Sequence, residues 1–292
     1  MKTPVDFEVP RGACDCHVHV FDPGRFPYEG GRRYTPPAAA IEDLRDLQAG
    51  LHLDRVVVVQ PSVYGVDNSC TINAVRELGA RACAVAVIDQ SFSTAKLDAL
   101  ARAGVRGVRM NLETVGKSDP AAARRVLRET ADQLAGRDWH IQLYTRLSVI
   151  AALKDDLAGL PFPVVVDHLG GAKAALGPGQ GGFGDLLALV KSGRVYVKIS
   201  GAYRVSDRTP EFPDVAELAR ALVSANPERV VWGSDWPHPG RGVNPTALAP
   251  PYPIDDGRVL NLLPKWVPEP ALRKKILVDN PARLYGFEPI LR

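Results

Sequence analysis

Eight short Val- and Ile-rich runs recur along the chain, each followed by a helix-like segment, and this alternation constrains the fold more than any other feature. The runs cover residues 13–20, 55–60, 82–88, 104–110, 139–144, 163–168, 194–200 and 229–235. Several are apolar throughout, as in VVVV at 56–59 and VVV at 164–166. Strands buried on both faces read this way, and such strands belong to parallel sheets covered by helices. Between the runs, residues 68–80 carry Ile72, Val75 and Leu78 at helical spacing behind Asn68 as an Asx cap. Residues 120–136 open on Asp119 as N-cap with Pro120 in the first turn, and stop at Gly136. Residues 185–191 and 215–225 repeat the theme. Eight alternations in 292 residues predict an α/β chain, a (β/α)8 TIM barrel that occupies 1–292 as a single domain. The competing architecture is an open doubly wound sheet. No G-x-G-x-x-G follows the first run, which counts against a dinucleotide-binding sheet of that kind.

Composition narrows the function classes. Lys plus Arg is 36 against 33 for Asp plus Glu, so a strongly basic nucleic-acid binder is not expected. No apolar run approaches the 18 residues of a membrane-spanning helix, and residues 1–10 lack the apolar core of a signal peptide. The four cysteines, Cys14, Cys16, Cys70 and Cys83, are too few for a disulfide scaffold. Cys14 and Cys16 form C-x-C rather than the C-x-x-C of redox or zinc motifs, so all four are expected as core residues of a reduced, cytoplasmic chain. The expected partner is a small molecule, not nucleic acid or membrane, and the chain is read as a monomer or a homo-oligomer.

Polar residues gather where the runs end. The ends read His17-Val18-His19, Gln60-Pro61-Ser62, Arg109-Met110-Asn111, Tyr144, Asp167-His168, Lys198 with Ser200, and Ser234-Asp235. In a barrel these ends converge on one mouth, where active sites are built. His17 and His19 are two apart and so share one face of a strand. Two inward imidazoles are costly unless they meet a metal, a charge or a substrate; a pair of satisfied core histidines is the plain alternative. His168 is a third candidate ligand or hydrogen-bond donor, or a strand-end histidine held by Asp167. Asp235 is a candidate metal ligand or general base, or a helix N-cap, although Pro237 argues against a helix starting there. Arg109, Arg204 and Tyr144 suggest an acidic substrate, because a guanidinium at a barrel mouth needs an anion; internal pairing, for example of Arg109 with Glu113, is the alternative. His52 and His140 precede their strands and belong to the opposite rim. His238 follows the last strand, as a ligand contact or gate, or as a surface histidine.

Three loops rich in Pro or Gly, residues 23–37, 170–184 and 237–253, follow strands one, six and eight and would lie over the same mouth. The loop at 170–184 lacks the GK[ST] of a phosphate loop.

These motifs carry a resemblance. D-C-H-V-H-V-F-D-P at 15–23, D-H-L-G at 167–170 and W-G-S-D-W-P-H-P at 232–239 resemble the amidohydrolase superfamily. Q-P-S-V-Y-G-V-D-N at 60–68, G-V-R-G-V-R-M-N at 104–111 and V-K-I-S-G-A-Y-R at 197–204 are similar to its lactone-hydrolase branch, over essentially the whole chain. The resemblance implies a lactonase acting on a small carboxylate-bearing lactone. It implies that Asp235 activates water and that His17, His19 and His168 polarise the carbonyl, directly or through a metal. It implies that Arg109, Tyr144 and Arg204 hold the substrate's carboxylate, with Ser62 and Tyr34 lining the pocket. The branch's pyrone-dicarboxylate enzymes carry a second arginine shortly after the strand-four one; here that place falls at Val115, with Lys117 nearby. The expected cofactor is none or one divalent metal, Zn²⁺ or Mn²⁺, held by His17, His19, His168 and Asp235, and a binuclear centre is not expected. A metal-dependent decarboxylase of a small aromatic or unsaturated acid, and a catalytically retired carboxylate-binding barrel, are the competing readings.

Overall fold

The computed structural model describes residues 3–114, 119–288 and 290. The apolar runs form eight parallel strands: β1 (Cys14–Val18), β2 (Arg55–Val59), β3 (Ala82–Ala86), β4 (Val105–Asn111), β5 (His140–Tyr144), β6 (Val164–Val166), β7 (Val195–Ser200) and β8 (Val230–Gly233). They pair in sequence order, β1 to β8, in one sheet. Helices α1 (Ile41–Leu51), α2 (Ser69–Leu78), α3 (Thr94–Arg102), α4 (Pro120–Gln133), α5 (Leu147–Ala152), α6 (Lys154–Gly159), α7 (Phe183–Lys191), α8 (Ala202–Val205) and α9 (Val215–Ala225) make the crossovers, and α10 (Asp256–Leu260) follows β8. This is the (β/α)8 barrel; consecutive parallel pairing around the sheet excludes the doubly wound order. Among the described residues no helix is long and apolar enough to cross a membrane.

Alternation along the strands sorts the core into two layers. On β2, Val56 and Val58 join the outer layer beneath the helices, while Val57 and Val59 join an inner one. The inner layer plugs the barrel's lower half with Cys14, Cys16, Cys83, Val165, Tyr196 and Tyr285. All four cysteines are buried and free, as their spacing suggests. Capping follows the expectation at α4, where Asp119 accepts from the Ala122 amide. Asn68 is a correction: it precedes α2 without capping it, and its side chain instead bonds the Val66 and Val87 backbones, tying the β2 loop to the end of β3.

Five strands, β1, β2, β3, β6 and β8, end before the sequence runs do. His19, Asp167, His168, Ser234 and Asp235 all lie just beyond a strand rather than on it. Polar side chains there take the backbone out of the ladder, and His168 and Asp235 both adopt positive φ, +50° and +68°.

β1 and β8 close the barrel. The Asp235 amide donates to the His17 carbonyl at 2.9 Å, and the His19 amide to the Trp236 carbonyl at 2.8 Å. The buried Asp15 carboxylate lies across the seam, its Oδ1 accepting from the amides of His17 (3.0 Å) and Ser234 (2.9 Å). Gly233 is required by the closeness of the two strands: a Cβ there would lie 2.8 Å from His17 Cβ and 2.9 Å from the His17 nitrogen. Gly233→Ala therefore wedges the seam, and should cost about 2 kcal/mol of unfolding free energy in a denaturant titration. A variant as stable as the parent would show that the seam tolerates the extra atom.

Candidate active site at the barrel mouth

The seam brings His17 beside Asp235, and the ends of β1 and β6 add His19 and His168. Asp235 Oδ1 lies 3.7 Å from His17 Nε2, 3.8 Å from His168 Nε2 and 3.9 Å from His19 Nε2. All four side chains are buried, and neither His17 Nε2 nor Asp235 Oδ1 has a hydrogen-bond partner. The opposite nitrogens are held: His19 Nδ1 lies 2.7 Å from the Val59 carbonyl and His168 Nδ1 2.9 Å from Ser200 Oγ. A carbonyl only accepts, so His19 carries its proton on Nδ1 and presents a lone pair at Nε2. The other oxygen of Asp235 is anchored separately, accepting from the Tyr203 hydroxyl at 2.7 Å and from Arg204 Nε. Gly201, in a left-handed turn, gives these groups room: a Cβ there would lie 2.8 Å from His168 Nδ1 and 3.3 Å from Asp235 Oδ2.

A second polar layer supports the first. His17 Nδ1 sits 3.2 Å from Lys198 Nζ and 3.3 Å from Asp167 Oδ1, all fully buried. Lys198 also donates to Gln142 Oε1 at 2.8 Å, and Gln142 to Asp167 Oδ2 at 2.9 Å. Arg109 completes the layer, its Nε 3.6 Å from Asp167 Oδ2 and its Nη1 donating to the Gln60 carbonyl at 3.3 Å. The suggested Arg109–Glu113 pair does not form; Glu113 pairs with Arg146.

Burial and charge set the ionisation. Burial pushes His17 well below the usual imidazole range, reinforced by the Lys198 ammonium. Burial likewise lowers His19 to about 3 and His168 to about 4. For Asp235 burial works upward, but the Arg204 guanidinium overcomes it and holds the carboxyl well below its ordinary value. At neutral pH the cluster is one carboxylate facing three neutral imidazoles.

That donor set suits a divalent cation. His17, His168 and Asp235 each offer a ligand atom within 4.8 Å of the others. The orphaned His17 Nε2 and Asp235 Oδ1 are what a bound ion would satisfy, and the bonds behind His19 and His168 aim their free nitrogens inward.

Above the cluster lies a cavity of about 450 Å³, a size suited to a small ligand. His19, His168, Tyr34, Arg109, Tyr144 and Arg204 all line it, and the Pro/Gly-rich loops after β1 and β8 supply Arg33 and Arg241 at its rim. Two guanidinium groups lie over the Tyr144 ring, Arg109 at 5.6 Å and Arg204 at 6.0 Å from its centre. Ser62 lines a neighbouring cavity of about 420 Å³ that shares Arg33, Arg109 and Asn111 with the first. Val115 and Lys117 lie outside the described residues.

A family model described as amidohydrolase matches residues 14–287. The chain belongs to the amidohydrolase family. It is 38% identical over 286 residues to a 4-sulfomuconolactone hydrolase of Rhizobium radiobacter, covering 98% of this chain and 93% of that one. It is 36% identical over 294 residues to a 2-pyrone-4,6-dicarboxylate hydrolase of Comamonas testosteroni, covering 97% and 93%. Among solved structures, a protein of Agrobacterium tumefaciens superposes with a TM-score of 0.83 at 29% identity, covering 96% of this chain and 98% of that one.

Within this amidohydrolase barrel several placements differ from the sequence reading. Arg204 is not wholly available to a substrate: it lines the cavity, but its Nε is committed to Asp235. His238 is neither on the surface nor in the cavity lining: it is buried, with Nε2 2.8 Å from Asp256 Oδ1. His52 is exposed after α1, and His140 is buried at the start of β5, both away from the mouth as expected. Sequence reasoning missed Asp15, Gln142 and Tyr203, gave Lys198 no role, and offered Asp167 as the partner of His168, whereas Asp167 faces His17 and Lys198 and His168 meets Ser200. Their signal was weak, because an acid or lysine inside an apolar run announces burial but not its partner.

The ionisation predicts an acid-sensitive fold. His19 and His140 protonate in the folded chain only near pH 3 and His168 near 4, against 6.5 when unfolded. Below 6.5 the unfolded chain therefore binds more protons, and each such histidine costs about 1.4 kcal/mol of stability per pH unit. Asp15, raised by burial to about 7, opposes this between 3.8 and 7, since there the folded chain holds the extra proton. Three terms outweigh one, so in chelator-treated protein Tm should fall as pH drops from 6.5 to 4.5. It should fall more steeply in Asp15→Asn, and a flat profile would contradict the assignment of neutral imidazoles.

Proposed function

We propose that this barrel is a lactonase that opens a small, carboxylate-bearing lactone to the ring-opened acid. One observation carries the reading: the orphaned Oδ1 of an ionised Asp235 faces three neutral imidazoles on the floor of a cavity walled by arginines. The relatives named as hydrolases of 4-sulfomuconolactone and 2-pyrone-4,6-dicarboxylate support a lactone as the substrate class.

In this mechanism the substrate's carboxylate rests against Arg109 and Tyr144 and against the terminal nitrogens of Arg204, whose Nε stays on Asp235. Tyr34 bounds the ring's outer edge. Water sits between the ring carbonyl and Asp235. As its oxygen bonds to the carbonyl carbon, Asp235 Oδ1 accepts its proton. His17 and His168 can each carry a proton on Nε2 and donate it to the developing oxyanion, whereas His19, protonated on Nδ1, accepts and orients the water. Collapse breaks the ring C–O bond, and the proton on Asp235 passes to the departing oxygen. Lys198 and Asp167 hold the His17 ring from behind, and Arg109 supplies positive charge to the site. A Zn²⁺ or Mn²⁺ ion held by His17, His19, His168 and Asp235 would add Lewis-acid polarisation of the carbonyl and a more acidic water.

Asp235→Asn should lower turnover by about 10³-fold on whichever lactone of a panel the parent opens, with an unchanged far-UV spectrum. Parent-like rates in that variant remove Asp235 as the base. Product analysis separates ring opening, which yields an acid and a proton, from decarboxylation, which yields CO₂. Turnover that survives chelation in protein free of metal by elemental analysis assigns polarisation to the histidines and Arg109. Loss on chelation with recovery on Zn²⁺ or Mn²⁺ assigns it to the cation.

A further inference from the structure

His238 stood out in the W-P-H-P stretch, yet it does not line the cavity. It packs instead behind Tyr203. The two rings meet edge to face at 5.4 Å, Tyr252 packs on Tyr203 at 5.1 Å, and the Arg204 guanidinium lies over the Tyr203 ring at 5.0 Å. His238 is itself fixed at three points. Its Nε2 is 2.8 Å from Asp256 Oδ1 at the start of α10, its amide donates to the Asp235 carbonyl at 2.9 Å, and its carbonyl accepts from the Tyr252 amide at 2.9 Å. The far end of Tyr203 is the hydroxyl that donates to Asp235 Oδ2 at 2.7 Å.

We propose that His238 and Tyr203 are positioning residues: Asp256 fixes His238, His238 and Tyr252 clamp the Tyr203 ring, and the Tyr203 hydroxyl sets the rotation of the Asp235 carboxylate. A carboxylate on a short side chain turns easily about its last torsion, and Oδ1 is useful only when aimed at the three imidazoles. Arg204 also binds Oδ2, but through a long side chain; the phenol delivers its donor from a ring with only two side-chain torsions, and both are packed. Tyr203 does not line the cavity, so it acts on the reaction through Asp235 and not through substrate. The inference rests on Asp235 being the base of the lactonase reading.

The test is a double-mutant cycle with Tyr203→Phe and His238→Ala. Phenylalanine keeps the ring contacts and removes only the hydroxyl. On the lactone that the parent opens, Tyr203→Phe should lower kcat by about 10- to 100-fold while KM stays within about twofold. His238→Ala should also lower kcat, and adding it to Tyr203→Phe should cause no further loss, since its effect travels through the missing hydroxyl. Should His238→Ala not fold, His238→Gln, which can still bond Asp256, takes its place in the cycle. A kcat for Tyr203→Phe within about twofold of the parent, or losses that multiply in the double variant, would overturn the proposal. Crystal structures of the parent and Tyr203→Phe give a readout independent of turnover. The proposal expects the Asp235 carboxylate to rotate away from the imidazoles, and an unmoved carboxylate overturns it. If the parent opens no lactone, the lactonase reading fails while this structural comparison still decides the positioning chain.

Discussion

The hydrogen bonds that join β1 to β8, with the Asp15 carboxylate lying across them, are what the candidate site depends on. Asp15 and Ser234 are 219 residues apart in sequence, yet one carboxylate oxygen accepts from the amides of both His17 and Ser234. Those contacts set His17 against Asp235 at a separation no local segment could impose. Gly233 permits the approach because any side chain would enter the space of His17. Barrel closure and site assembly are therefore one event: a chain that failed to join its ends would leave the imidazoles of β1 without their carboxylate.

The barrel interior is graded to serve that event. Thiols, valines and aromatic rings fill the lower half. Above them Gln142, Asp167, Lys198 and Arg109 form a buried layer whose charges oppose one another at 3.3 to 3.6 Å. Unpaired, each would be prohibitively costly; together they give the histidines above a rigid, electrically structured base. Desolvation then keeps the imidazoles neutral, and the Arg204 guanidinium keeps Asp235 ionised. An ionised acceptor next to neutral donors is the combination that ester hydrolysis needs at neutral pH.

Much of this was legible in the residues. Eight apolar runs with intervening helical periods specify the barrel because strands buried on both faces cannot alternate polar and apolar positions. The H-x-H, D-H-L-G and S-D-W motifs mark the mouth because charged groups at the ends of buried strands have no other place to converge. Arg204 and His238 show where such reading stops. Each belongs to a motif, but whether a guanidinium meets substrate or Asp235, and whether an imidazole meets solvent or Asp256, depends on what another part of the chain puts beside it.

The sequence by itself determined the strand count, the rim on which polar side chains gather, and that His17, His19, His168 and Asp235 are among those that meet there. Periodicity and local chemistry are properties of neighbours in the chain, and they suffice for that much. Only the tertiary structure decided that Asp235 divides its two oxygens between the imidazoles and a Tyr203–Arg204 anchor. It also decided that Lys198 and Asp167 stand behind His17, and that His238 supports the site from outside the cavity. Those relations join segments far apart in sequence through distances of a few ångströms, which only the closed barrel imposes.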